Sequence, residues 1–172
     1  MLHLAVIATS LKEESKSRQL ARLLADHATA QKISVTFLDL RDLDLPMAGP
    51  GAGWEHPGTL QLKKAVSQAS HVVLAVPIYN YDANAAAKNA VELAGDVFAD
   101  KVVGFLCAAG GSNSYMSIMG LANSLMLDFR SVIAPRFLYT TYSDWQDGTT
   151  LKPGIQQRLE QLLADLGRIH VA

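Results

Sequence analysis

Apolar positions along this chain follow two different periods. Short runs rich in β-branched residues, Leu2–Ala8, Ile33–Asp39, His71–Val76, Val102–Ala108 and Val132–Tyr139, read as strands. Segments of helical spacing alternate with them, at about Ser15–Thr29, Gly58–Ala69, Ala83–Phe98, Ser114–Phe129 and Pro153–Ile169. The alternation predicts βα units around a parallel sheet, hence an α/β protein. The central runs lack polar alternation, as expected of strands covered by helices on both faces. Neither a repeat nor an interdomain linker is visible, so residues 1–172 read as one domain. Pro46–Gly58 is a Pro/Gly-rich loop long enough to suspect function. In an open doubly wound sheet, ligands settle beyond the carboxyl ends of the strands, which points to Ala8, Val76 and Ala108.

Composition narrows the classes. With 172 residues the chain is long enough to bury a sizeable core. No apolar run is long enough to cross a bilayer, and the first ten residues move straight into a strand pattern, so neither a membrane span nor a signal peptide is expected. A formal net charge of −1, with basic and acidic residues interspersed, argues against nucleic acid or an anionic membrane as partner. The single cysteine, Cys107, lies inside a strand-like run and forms no internal disulfide, which favours a reducing, cytoplasmic setting.

Candidate chemistry sits in the turns. After the first strand, residues Thr9 to Arg18 feed a helix start, where backbone N–H groups lack intrahelical acceptors and the helix dipole favours negative charge. Hydroxyls of Ser10, Ser15 and Ser17 and the charge of Lys12 complete a set of groups suited to a monophosphate. The loop lacks glycine, and with it both G-x-x-x-x-G-K-[ST] and G-x-G-x-x-G, which disfavours triphosphate and dinucleotide cradles of the usual kind. The competing reading is a Ser15 helix cap flanked by solvated charges. After the third strand, Pro77-Ile78-Tyr79-Asn80-Tyr81 offers a rigid hinge, flat aromatic faces and hydrogen-bonding groups, a mix suited to a planar ring with polar edges. After the fourth, Gly110-Gly111 either lets backbone approach a ligand or is a plain turn.

These stretches together resemble the NADPH-dependent FMN reductase family, which includes quinone, azo-dye and chromate reductases. Residues 9–17 resemble its G-S-x-R-x-x-S-x-N loop, and Leu38-Asp39-Leu40-Arg41-Asp42-Leu43-Asp44-Leu45-Pro46 resembles its segment leaving strand two. Pro77-Ile78-Tyr79-Asn80 with Lys88-Asn89-Ala90 is similar to its P-E-Y-N...K-N-A element, and Ala109-Gly110-Gly111-Ser112 falls at its glycine-rich loop. Thr9, Ser17 and Ile78 replace the usual glycine, asparagine and glutamate, and Asn84-Ala85 stand where Pro-Gly is common.

The resemblance implies a flavodoxin-like three-layer sandwich, a five-stranded parallel sheet of order 2-1-3-4-5 with helices on both faces. It implies FMN as cofactor and NAD(P)H as co-substrate, with hydride passing through FMN to a small-molecule acceptor such as flavin or quinone. Ser10, Lys12, Ser15 and Ser17 would then hold the phosphate. Pro77, Ile78, Tyr79 and Asn80 would border the ring and ribityl chain, and Gly110, Gly111 and Ser112 would approach the pyrimidine end. No catalytic acid or base is singled out. Two other readings fit the same fold: a flavodoxin-type electron carrier, which needs a more strongly charged docking face, and a non-catalytic interaction protein.

The segment from Tyr115 to Phe129 is apolar on more than one face, which suggests a homodimer or homotetramer contact as an alternative to a fully intramolecular core helix. The five histidines are dispersed without helical pairing, so a metal site is not expected. Trp54 and Trp145 fall in loops that either rim the pocket or pack a subunit contact.

Overall fold

The computed structural model describes residues 2–49, 51 and 53–171. In chain order it contains β1 (His3–Ala8), α1 (Lys16–Ala30), β2 (Ser34–Asp39), α2 (Pro57–Gln68), β3 (His71–Tyr79), β4 (Asp82–Ala83) and α3 (Ala85–Ala94). There follow β5 (Val102–Ala108), α4 (Met119–Phe129), β6 (Val132–Ile133), β7 (Leu138–Thr140) and α5 (Pro153–Leu166). Strands β2, β1, β3 and β5 lie side by side in parallel, and β6 and β7 both lie parallel to β5. With β6 and β7 counted as one broken strand, the expected order 2-1-3-4-5 and the flavodoxin-like class hold.

The sheet has seven strands rather than five. One addition comes from Val132–Tyr139, which the sequence pattern reads as continuous. Between the β5 partners Val103 and Leu106 the sheet advances three residues, while the opposing chain spends five, from Ile133 to Leu138. Pro135 lies in that excursion and has no N–H to give to a ladder. The other addition is β4, which folds back on the end of β3.

Strand β3 also runs on through Pro77, the residue expected to end it. Ala75 accepts from the N–H of Thr9 at 3.0 Å, so residue 77 faces the same side, where β1 has already stopped. The missing proline N–H therefore costs no ladder bond, and the Pro77 carbonyl accepts from Asn84 at 3.2 Å. The helix predicted over Ala83–Phe98 begins only at Ala85 and ends where Gly95 turns to φ 60°. The one predicted over Ser114–Phe129 is a 3₁₀ segment, Ser112–Ile118, before α4. Of the Pro46–Gly58 loop, residues 50 and 52 lie outside the described residues.

Side chains alternate across β1, Ala5 and Ile7 packing to one face and Leu4, Val6 and Ala8 to the other. Helices α2, α3 and α4 cover the first face through Leu62, Val66, Val91, Leu121 and Leu125, while α1 and α5 cover the second through Leu20, Leu24, Leu159 and Leu163. With three layers in place, the carboxyl ends of β1, β3, β5 and β7 and the loops after them share one rim.

Candidate active site

At this rim four turns surround a cleft of about 900 Å³. The β1–α1 loop, the end of β3, the end of β5 and the segment after β7 each supply part of its wall. Its size is that of a pocket for a cofactor-sized molecule.

The first loop owes its shape to Arg18, a residue the sequence motif passes over. Its buried guanidinium donates to the backbone carbonyls of Ser10 at 2.5 Å, Lys12 at 2.6 Å and Glu13 at 2.9 Å. Its Nε donates to Asp39 Oδ2 at 2.6 Å, and Arg41 reaches the same carboxylate at 2.9 Å. Burial alone would raise the Asp39 carboxyl, but the bonds from Arg41 and Arg18 outweigh it and hold it below the usual carboxylate range. Such a fork of donors on carbonyls spread over four residues fixes a loop that has no glycine.

Ser15 is the N-cap of α1, accepting from the Arg18 N–H at 3.2 Å, and its Oγ lies 3.0 Å from that of Ser17. The capping reading is therefore correct, and Ser15 also faces the cleft. Among the described residues, the backbone N–H groups of residues 13–17 have no protein acceptor. They leave a patch of free donors at the positive end of a fifteen-residue helix.

The first and third loops are tied together below the cleft. Thr9 Oγ1 donates to the Ala75 carbonyl at 3.0 Å and lies 2.9 Å from Asn84 Oδ1, and Asn84 Nδ2 donates back to the Thr9 carbonyl at 2.8 Å. Asn89, from the K-N-A element, donates to the Pro46 carbonyl at 2.9 Å and accepts from the Ala48 N–H at 2.7 Å, anchoring the Pro/Gly-rich loop against α3. Lys88 pairs with Glu92 on the surface.

Of the eleven residues expected at the site, the cleft is lined by Lys12, Ser15, Ser17, Pro77, Ile78, Tyr79 and Gly110. Ser10, Asn80, Gly111 and Ser112 do not line it. Ser10 is 1 % exposed, and its Oγ accepts from the Lys12 N–H at 3.3 Å, so it shapes the loop from beneath. Asn80 and Tyr81, with φ of 51° and 63°, form the tight turn between β3 and β4. The Gly111 carbonyl accepts from the Tyr139 hydroxyl, and Ser112 opens the 3₁₀ segment. A Cβ built on Gly110 or Gly111 meets nothing within 4 Å, so protein packing demands neither glycine and the space above them is open to a ligand.

Of the wall after β7, sequence reasoning offered only Trp145, as one of two alternatives. Thr140, Thr141, Tyr142, Trp145 and residues 147–149 line the cleft opposite the first loop, and no local motif there announces a site. Trp145 thus belongs to the pocket, whereas Trp54 does not line it. Among the described residues there is no cluster of metal-ligating side chains.

A shaped loop of free N–H donors, an apolar and aromatic strand end and an unobstructed glycine turn fit a flat molecule bearing a phosphate. Comparison with known proteins agrees. The NADPH-dependent FMN reductase family matches residues 2–142. An NADPH:quinone oxidoreductase of Arabidopsis thaliana is 23% identical over 96% of this chain and 90% of its own. An NAD(P)H-dependent FAD/FMN reductase of Geobacillus thermodenitrificans is 24% identical over 81% of this chain and 77% of its own. Among solved structures, the flavoenzyme NAD(P)H:(acceptor) oxidoreductase FerB of Paracoccus denitrificans superposes over 100% of both chains with a TM-score of 0.78 at 18% identity.

Proposed function

The chain belongs to the NADPH-dependent FMN reductase family, and from that premise we propose how its own residues serve an NAD(P)H-dependent FMN oxidoreductase. Lys12, Ser15, Ser17 and the free amides opening α1 take the phosphate. Pro77, Ile78 and Tyr79 border the ring and ribityl chain from the β3 side, and backbone near Gly110 and Gly111 approaches the pyrimidine end, with Asn80 and Ser112 at the margin and Ser10 acting through the loop it supports. When bound, FMN supplies the redox chemistry, taking hydride from NAD(P)H and giving electrons to a small acceptor such as a flavin or quinone.

The protein's share is positioning and electrostatics. The α1 dipole and its free N–H groups hold a dianion without spending a side-chain counterion on each oxygen. N–H groups at the β5 turn would face a carbonyl of the bound ring and stabilise negative charge there. No side chain is assigned a proton transfer. The observation that carries this reading is the convergence of the β1, β3 and β5 turns on one cleft of about 900 Å³.

The visible spectrum of purified protein, recorded before and after anaerobic NADPH, tests it. Bound flavin that NADPH bleaches, with steady NADPH oxidation once a quinone or free FMN is added, is the expected result. Flavin that NADPH leaves oxidised points to an electron carrier. Colourless protein whose melting temperature ignores FMN points to a non-catalytic binding protein.

We propose further that two copies associate through α4 and the 3₁₀ segment before it. Tyr115, Met116, Met126 and Leu127 are exposed there, Leu127 by 77%. Large apolar side chains grouped on a charge-poor helix face mark an interaction surface. Sedimentation is expected to find a dimer or tetramer at micromolar concentration and a monomer for Leu127→Asp; wild type that sediments only as monomer sinks the idea. A free, buried Cys107 suits a reducing compartment, and cytoplasmic residence is proposed on that basis.

A further inference from the structure

The family match ends at residue 142, yet part of the wall facing the first loop, Trp145 and residues 147–149, lies beyond it. Trp145 lines the cleft while only 5% exposed. Its indole Nε1–H is the one buried side-chain donor without an acceptor among the described residues. Buried donors left unpaired are rare enough that each calls for a missing partner.

Two neighbours indicate what that partner is. The ammonium of Lys16, first residue of α1, lies 4.4 Å from the centre of the indole ring, donates to Gln19 at 3.1 Å and also donates to the Gly148 carbonyl. Gly148 sits in a turn pinned by Asp147, whose carboxylate accepts from the N–H groups of Thr149 at 2.9 Å and Thr150 at 2.7 Å and from both threonine hydroxyls. A bridge between Trp145 and Leu151 closes the base of that turn. The turn therefore stands over the positive end of α1, held by its own bonds. An ammonium, an indole N–H and free helix amides are all donors, and Asp147 has its oxygens turned to its own threonines. An acceptor-only anion suits this set of donors.

We propose that the segment 145–149 is a second jaw of the phosphate compartment, in which Lys16 and the Trp145 Nε1–H grip the phosphomonoester of the flavin from the side opposite Ser15 and Ser17. An arriving phosphate offers the Lys16 ammonium a charged acceptor, a stronger partner than the neutral Gly148 carbonyl, and offers the unpaired indole N–H an acceptor as well. The proposal rests on the flavin-binding reading and adds that this chain discriminates FMN from riboflavin through Trp145, beyond the family match, and Lys16, a variable position of the first-loop motif.

Titrating the flavin-free protein with FMN and with riboflavin, followed by quenching of flavin fluorescence at low and high salt, tests it without turnover. Wild type is expected to prefer FMN. Trp145→Phe keeps the ring packing and deletes the donor, and is expected to weaken FMN roughly tenfold while leaving riboflavin unchanged. Lys16→Met is expected to do the same and to flatten the salt dependence of FMN binding. Asp147→Ala lies on an exposed turn and takes the place of the tryptophan variant if that one folds poorly; loosening the jaw, it too lowers the FMN-to-riboflavin ratio. A wild-type ratio in these variants overturns the jaw and leaves flavin binding intact. Wild-type protein that binds neither flavin overturns the flavin reading itself, and the jaw with it.

Discussion

Replacing Arg18 with methionine is expected to unmake the first loop and the fold's margin of stability together. The guanidinium is about one-tenth exposed and Asp39 almost fully buried, so the substitution leaves the buried carboxylate with one of its two arginine partners. Removing one partner of a buried pair costs about 3–5 kcal/mol. Arg41 remains on Asp39 with bonds of 2.9 and 3.2 Å, which places the loss at the lower end, about 3 kcal/mol. For a chain of this length that is a fall in Tm of roughly 6–12 °C. Urea denaturation should show a lower midpoint at an unchanged slope, and FMN affinity should fall in step, because the carbonyls of Ser10, Lys12 and Glu13 lose their common anchor. Arg18→Lys keeps the charge but cannot span three carbonyls and a carboxylate, so it should recover only part of either loss. Asp39 adds a pH signature. Its folded pKa lies below its unfolded value, so its contribution is present above the ordinary carboxylate range and is lost as pH falls through the folded value. Asp39→Asn should flatten that acid limb. An Arg18→Met protein with wild-type denaturation midpoint and wild-type FMN affinity would refute the account of how this loop is held.

Asn84→Ala removes the Nδ2 donor to the Thr9 carbonyl and the Oδ1 beside the Thr9 hydroxyl, and is expected to cost about 2 kcal/mol in chemical denaturation, with weaker flavin binding. Burial depresses the pKa of His71, so its neutral form suits the fold and protonation opposes it; stability should decline between roughly pH 7 and 5, and His71→Gln should reduce that slope. Cys107 is fully buried near the carboxyl end of β5, where burial pushes its thiol pKa up and keeps it out of reach of reagents; it should stay silent to a thiol-reactive dye in native protein and react at once in denaturant.

Much of the architecture was legible because strand and helix periods differ and both faces of the sheet are covered. The breaks were not. Pro135 interrupts the last strand inside an apolar run, while Pro77 does not interrupt β3, since only the neighbour's length decides whether a missing N–H matters. The lining of the candidate cleft was legible where chemistry and backbone coincide in a short loop, as at Lys12, Ser15 and Ser17. It was obscure where a residue works through partners far along the chain: Arg18 through Asp39, Asn84 through Thr9, Trp145 through Lys16. Ser10 and Asn80 match the family pattern in sequence but are turned to loop shape and to a tight turn.

This division has a consequence for how the cleft responds to substitution. The buried polar side chains nearest the rim, Thr9, Arg18, Asp39, Asn84 and Asn89, are satisfied by backbone or by one another. The donors that face the cleft at the start of α1 are not, and a free donor in contact with water costs little, while the same donor aimed at an anion is strong. Positioning residues should therefore lose stability and affinity together, whereas rim residues such as Lys12 should lose affinity alone. Lys12→Ala supplies the sharpest contrast: FMN retention should fall with an unchanged denaturation midpoint, and a matching loss of stability would mean that loop shape and ligand grip are not separable in this fold.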